Sequence, residues 1–321
     1  MSKLDLYIEA ATRQNTRQSY RGAVEHFEVE WQGVLPATAD SVARYLAEYA
    51  DTLSVSTLRQ RLAALAKWHA EQGFPDPTKA PIVRQAMRGI RALHPAQEKQ
   101  AKPLMLDELE YVIASLDKAV NVARGAGDRG TELRNLRDKS LLLLGFWRGF
   151  RSDELSRLRV EHVQAKAGEG ISCYLGSTKG DRQNLGTTFK APALSRLCPV
   201  DAYLDWVGAA QLTDGPVYRR LDRWGHVGEN GLHIDSIAPL LRTILAGCGL
   251  NSAELYSGHS LRRGFANWAA SNGWDVKSLM EYVGWRDMKS ALAYVDAASP
   301  LAKDRFERIL ANTSESRLES R

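Results

Sequence analysis

Cysteine is scarce: three occur in 321 residues, at Cys173, Cys198 and Cys248, with no CxxC spacing and no histidine cluster beside them. That excludes a disulfide framework and a zinc site of the usual ligand spacing. Long apolar runs are missing as well. The longest, residues 141–147, is far too short to span a bilayer, and the start, MSKLDLYIEAATRQ, has no apolar signal core. No P-loop and no carboxylate metal cluster appears, so neither ATP nor a metal is implied. The expectation is a soluble cytoplasmic protein with its thiols reduced.

What is present is a globular composition, 44% apolar and long enough for two domains. The 43 Lys and Arg residues against 38 Asp and Glu leave a net charge of +5. The excess is modest, and it leans toward an anionic partner, of which nucleic acid is the commonest.

The first hundred residues carry only helical periodicity. Tyr20, Val24, Phe27 and Trp31 form one apolar face, and Val42, Tyr45, Leu46 and Tyr49 another. A third helix is expected over residues 56–72, with Leu58, Leu62, Leu65 and Trp68 as its buried stripe and Arg59, Arg61 and Lys67 off it. A fourth, residues 81–93, begins with Pro in its first turn. On it Arg84, Arg88 and Arg91 share a face opposite Ile82, Ala86 and Ile90. Such a stripe is commonly a solvated face, but this helix has no acidic residues to neutralise it, which favours phosphate contact. Residues 96–103 are polar, lack an apolar period and predict a linker.

Helicity resumes at Met105, with Asp107 and Glu108 where a helix start favours acids. Residues 122–131 predict a surface loop, and residues 138–147 an apolar helix central to the second core. Arg151 follows at a bend marked by Gly149, with Glu154 three residues on. As a plain surface pair these two would contribute only about 0.2–0.5 kcal/mol; held in a bend, the Arg is oriented toward a phosphate. Ile171, Cys173 and Leu175 alternate, residues 177–181 make a turn, and residues 185–189 return, a two-stranded element with Lys179 at its tip.

Residues 257–295 hold the rest. His259 and Arg262 sit three apart, on one side of a helical turn, suited to holding an anion between imidazole and guanidinium. Gly284-Trp285 is a turn, and Tyr294 stands among Ala291, Ala293 and Ala297 as a possible nucleophile.

Arg151 with Glu154, Lys179 on a hairpin, His259-x-x-Arg262, Gly284-Trp285 and Tyr294 together resemble, in order and spacing, the signature of the tyrosine recombinases, the phage-integrase family. The RGFR string at Arg151, Arg263 after Arg262 and Trp285 depart from the commonest pattern without removing an essential group. The resemblance implies a mainly α (α+β) fold: a helical, SAM-like core-binding domain over residues 1–95, a linker over 96–103, a mostly helical catalytic domain with a small β-sheet over 104–311, and a polar tail over 312–321. It implies that Tyr294 attacks a DNA phosphodiester to give a 3′-phosphotyrosine, that Lys179 protonates the departing 5′-oxygen, and that Arg151, His259, Arg262 and Trp285 meet the charge on the non-bridging oxygens.

It further implies partners: duplex DNA with an inverted-repeat site, and copies of this chain, two per site and four in a synapse that passes through a Holliday junction. Accessory proteins stay open, as does the docking of the amphipathic segment 301–310, in cis or, as favoured here, in trans. A bacterial, phage or mobile-element source fits. Two alternatives share the residues: a type IB topoisomerase or telomere resolvase with the same chemistry, and a catalytically silent DNA-binding protein.

Overall fold

The computed structural model describes residues 14–95, 100–176, 185–286 and 288–292, together with Lys3, Leu6, Tyr7, Ala11, Thr12 and Thr178. The chain divides into two units, Met1–Lys99 and Gln100–Arg321.

The described part of the first unit is entirely helical. It comprises α1 (Gln14–Glu25), continued by a π-turn over His26–Glu30, α2 (Ala39–Glu48), α3 (Val55–Glu71) and α4 (Pro81–Leu93). Thr38 caps α2 and Ser54 caps α3, each hydroxyl accepting an N–H from the first turn. The core gathers Phe27, Val42, Tyr45, Leu46, Leu58, Leu65, Val83, Met87 and Ile90. His69 is wholly buried there. Its Nε2 accepts the Ala37 N–H at 2.8 Å while Nδ1 donates to the Leu65 carbonyl at 2.7 Å, so the two partners fix the ring's tautomer. One expectation fails: Ile82 is 45% exposed, and Val83 holds the buried place on α4.

In the second unit α5 (Leu106–Ala126) and α6 (Arg129–Trp147) pack together. Residues 122–131, expected as a loop, are helical but for Gly127 and Asp128. Gly127 supplies a left-handed C-cap at φ +69° and Asp128 caps α6. Leu141, Leu142, Leu143, Leu144 and Phe146 are all fully buried. A helix apolar on every side must be covered on every side, and α5, α8 (Pro199–Ala209) and α10 (Gly258–Ser271) pack against it. After the short α7 (Ser152–Ser156) comes a sheet of three antiparallel strands rather than the two expected, in the order β1 (Val163–Lys166), β2 (Gly170–Leu175), β3 (Thr187–Pro192). Cys173 pairs with Val163 on one side and Phe189 on the other. Ile171, Cys173 and Leu175 face the core, as their alternation requires. A second antiparallel pair, β4 (Arg219–Leu221) and β5 (Val227–Gly231), precedes α9 (Ile234–Gly247), and α11 (Val276–Val283) and α12 (Met288–Leu292) follow α10. No helix among the described residues is long and apolar enough to cross a membrane.

Residues 100–103, the end of the expected linker, and Leu104 after them are fastened to the second unit. The Lys102 N–H donates to the Leu255 carbonyl and the Leu104 N–H to the Ser260 carbonyl, each at 3.0 Å. Leu104 itself is fully buried.

Candidate active site

Three helix beginnings and ends meet at the candidate site. Gly149, at φ +56°, turns the chain out of α6, a conformation that disfavours any residue with a Cβ. Arg151 then stands in extended conformation as the N-cap of α7. Glu154, in the first turn of that helix, reaches back with both oxygens: Oε2 accepts the Arg151 N–H at 2.8 Å and Oε1 accepts Arg151 Nη1 at 2.6 Å. Its side chain is 2% exposed and that of Arg151 20%.

Ser257 begins α10 with a reciprocal cap: its Oγ accepts the His259 N–H at 3.2 Å and its own N–H donates to Ser260 Oγ at 2.9 Å. A Cβ on Gly258 would lie 1.8 Å from Ser152 Oγ, so the absence of a side chain there lets the start of α10 close on the start of α7. His259 and Arg151 are thereby carried on neighbouring helix starts. His259 is exposed and Arg262 fully buried.

Arg262 is the centre of the cluster. Nη1 donates to the Gly149 carbonyl and lies 3.7 Å from Glu154 Oε2, and Nη2 reaches the Val283 carbonyl at 3.5 Å. The guanidinium sits 4.9 Å from the centre of the Trp285 ring, in cation–π range. Trp285 is 5% exposed, and it is placed by Gly284, whose φ of +77° ends α11, with both N–H groups of the pair returning to the Met280 carbonyl at 2.9 Å. One carboxylate thus serves two guanidinium groups and the cluster stays a net cation, which is the charge a phosphate oxygen needs.

The structure therefore brings together Arg151, Glu154, Arg262 and Trp285, with His259 on the first turn of the helix that carries Arg262. Lys179 and Tyr294 lie outside the described residues, as does segment 301–310. Sequence reasoning took Gly149 only as the mark of a bend and passed over Val283, the second of the two residues whose carbonyls hold Arg262, and Ser152 beneath Gly258. It also passed over Arg148, buried with its guanidinium 4.0 Å from the Tyr282 ring centre and donating to the Lys190 and Tyr282 carbonyls. A backbone carbonyl leaves no mark on sequence, whereas the unusual Arg-Gly-Phe-Arg string did carry a signal.

In the first unit, Arg59, Arg84, Arg88 and Arg91 line one groove of about 540 Å³. Arg84 donates to the Lys79 carbonyl and Arg91 to that of Met87. Arg61 is engaged with the Gly22 carbonyl at 2.9 Å and Lys67 pairs with Glu71.

Comparison with known proteins points the same way. Residues 3–72 match the model of the phage integrase N-terminal SAM-like domain. The chain is 27% identical over 311 residues to an integrase/recombinase xerD homolog of Selenomonas ruminantium, spanning 94% of this chain and 87% of that protein. It is 24% identical over 270 residues to the recombinase cre of Escherichia phage P1, spanning 81% and 76%. Among solved structures, the XerH site-specific recombinase in its post-cleavage complex superposes with a TM-score of 0.58 at 15% identity, over 92% of this chain and 78% of that one, a likeness of fold. Both relatives are named as recombinases, and the solved structure shares the fold. The chain carries a phage integrase SAM-like domain over residues 3–72 and is similar over most of its length to integrases and recombinases.

Proposed function

We propose that the chain is a site-specific recombinase whose nucleophile is Tyr294. The Tyr294 oxygen, attacking as the phenolate, forms a bond to the phosphorus of a DNA strand as the bond to the 5′-oxygen breaks, leaving a 3′-phosphotyrosine and a 5′-hydroxyl that takes its proton from the Lys179 ammonium. Arg151, His259, Arg262 and Trp285 offer their N–H groups to the charge on the non-bridging oxygens. The phosphoester is retained in the covalent link, so the 5′-hydroxyl of another strand reverses the step and reseals it. The observation that carries this reading is Glu154: one buried carboxylate fixes two arginines that lie far apart in the chain, an arrangement suited to a phosphate and unneeded for packing alone.

The groove of Arg59, Arg84, Arg88 and Arg91 offers its charge to the duplex backbone. The partners are double-stranded DNA carrying an inverted repeat and further copies of this chain, two per site and four in the synapse; relatives are seen with DNA substrates, one as a dimer on a core site. Nicked suicide duplexes test the reading, since loss of the short strand traps the adduct. The wild type should form a covalent adduct and Tyr294→Phe should bind without forming one; adducts that persist in Tyr294→Phe would refute the nucleophile. A plasmid with two candidate sites should give recombinants, whereas relaxation of any supercoiled DNA without recombinants would indicate topoisomerase activity instead.

A further inference from the structure

Outside the phosphate cluster, a second polar network meets the same helix from behind. Glu108, at the start of α5, uses one oxygen twice: Oε1 accepts Lys102 Nζ and the Tyr256 hydroxyl, each at 2.8 Å. Its other oxygen accepts the Met105 N–H at 3.0 Å and so caps α5. Tyr256 is fully buried, lies 4.9 Å beneath the Lys102 ammonium at its ring centre, and its carbonyl accepts Arg242 Nε at 2.9 Å. It is the residue just before Ser257, which caps the turn bearing His259.

The irregular segment 100–104 runs beside this turn and the helix after it. Besides its two backbone bonds to Leu255 and Ser260, Arg263 Nη1 donates to Gln100 Oε1 at 2.5 Å. A Cβ on Gly264 would lie 1.9 Å from the Leu104 carbonyl oxygen, so α10 and the segment touch through backbone. None of these residues belongs to the phosphate cluster. Their shared property is that they hold the approach to α10 and its first two turns.

We propose that Glu108 is a positioning residue for strand cleavage: by holding Tyr256 and Lys102 on one oxygen it sets the first turn of α10 and thereby aims His259 at the scissile phosphate. The inference rests on the reading of His259 and Tyr294 given above. A buried tyrosine hydroxyl bonded to a carboxylate gives a directional tie that packing of the ring alone would not. A displacement of about 1 Å in such a group costs on the order of 100-fold in rate, so a partial loosening should cost about tenfold.

Tyr256→Phe removes a single oxygen and leaves the ring packed; Lys102→Met, which removes the other donor, is the second variant. Full-length proteins are compared on a nicked suicide duplex, and on one whose 5′-bridging oxygen is sulfur, a better leaving group that keeps weak variants measurable. Each change should slow adduct formation at saturating DNA about tenfold while the Kd for the same DNA stays within about twofold. Combined with His259→Ala, the Tyr256→Phe change should add nothing further, because it acts through that imidazole. Unchanged rates overturn the proposal, as does a loss of equal size in the His259→Ala background or a loss confined to Kd. Adducts that survive Tyr294→Phe would instead strike the reading of the active site, so the two failures are distinguishable.

Discussion

Glu154→Gln tests the phosphate cluster most directly, since it keeps the size of the side chain while removing its charge and turning one of the two oxygens that accept from Arg151 into a donor. The glutamate side chain is 2% exposed, between Arg262 at 0% and Arg151 at 20%. Removing one partner from a buried ion pair generally costs about 3–5 kcal/mol, because the other charge is left uncompensated. Here the amide oxygen still accepts a bond, and Arg151 keeps some contact with water, which lowers the expected cost to about 2–3 kcal/mol. For a unit of this size each kcal/mol moves Tm by about 2–4 °C, so melting should fall by about 4–12 °C. The variant leaves two facing guanidinium groups, so an added divalent anion should restore more of its stability than of the wild type's. Scanning calorimetry in sulfate and in chloride, matched for ionic strength, measures both effects. A drop below about 2 °C, or equal sulfate responses in the two proteins, would refute the account of Glu154 as the counter-charge of a phosphate site.

Three further outcomes follow from the same geometry. Gly264→Ala puts a methyl 1.9 Å from the Leu104 carbonyl oxygen, backbone against backbone, so urea unfolding should show a loss of about 1–3 kcal/mol, and a neutral result would mean that α10 is free to shift. Arg88→Glu, on the groove of the first unit, should weaken DNA binding for all sequences alike and reduce the slope of log K against log salt by about 1, as filter binding over a salt series reports. The third concerns acid. Burial alone would raise the Glu108 carboxyl, but bonds from Lys102, the Met105 N–H and Tyr256 outweigh it and hold the group below its ordinary value. Its stabilisation is therefore complete above the ordinary carboxylate pKa and lost as pH falls through the depressed one. Lys102→Met should flatten the acid limb of urea stability below the ordinary carboxylate pKa, and an unchanged limb would contradict it.

Where the sequence was legible, a local rule coincided with the tertiary outcome. Pro81 at the first turn and an amphipathic run define α4 at the bounds expected. Its phase was harder, because Ile82-Ala86-Ile90 and Val83-Met87-Ile90 are neighbouring stripes sharing one residue, and only the partner helices choose between them. The helix expected over residues 138–147 begins at Arg129, nine residues earlier, in a stretch with few apolar residues. Arg137 and Asp138 are in fact both buried and bound to each other, Nε at 2.9 Å and Nη2 at 2.7 Å from one carboxylate oxygen, and hydrophobic periodicity cannot register a pair that neutralises itself. β1 is four residues of VQAK at a sheet edge, with too little apolar content to stand out.

The candidate site divides along the same line. Arg151, His259, Arg262 and Trp285 were legible as residue types in order, because a phosphate demands guanidinium and N–H donors wherever they fold together. Their geometry was not, because it is set by groups without side-chain chemistry: the Gly149 and Val283 carbonyls that grip Arg262, the missing Cβ of Gly258 over Ser152, and that of Gly264 over Leu104. Residues 100–104 make the point most sharply. Polar and aperiodic, they have every mark of a free connection, yet a backbone bond to Leu255, another to Ser260 and the Gln100 amide fasten them along α10 and the turn before it. Backbone donors and acceptors pair as readily in an irregular segment as in a sheet, and without periodicity to betray them. A substitution at Gly258 or Gly264 should therefore disturb the phosphate site while every residue that would touch the phosphate is intact.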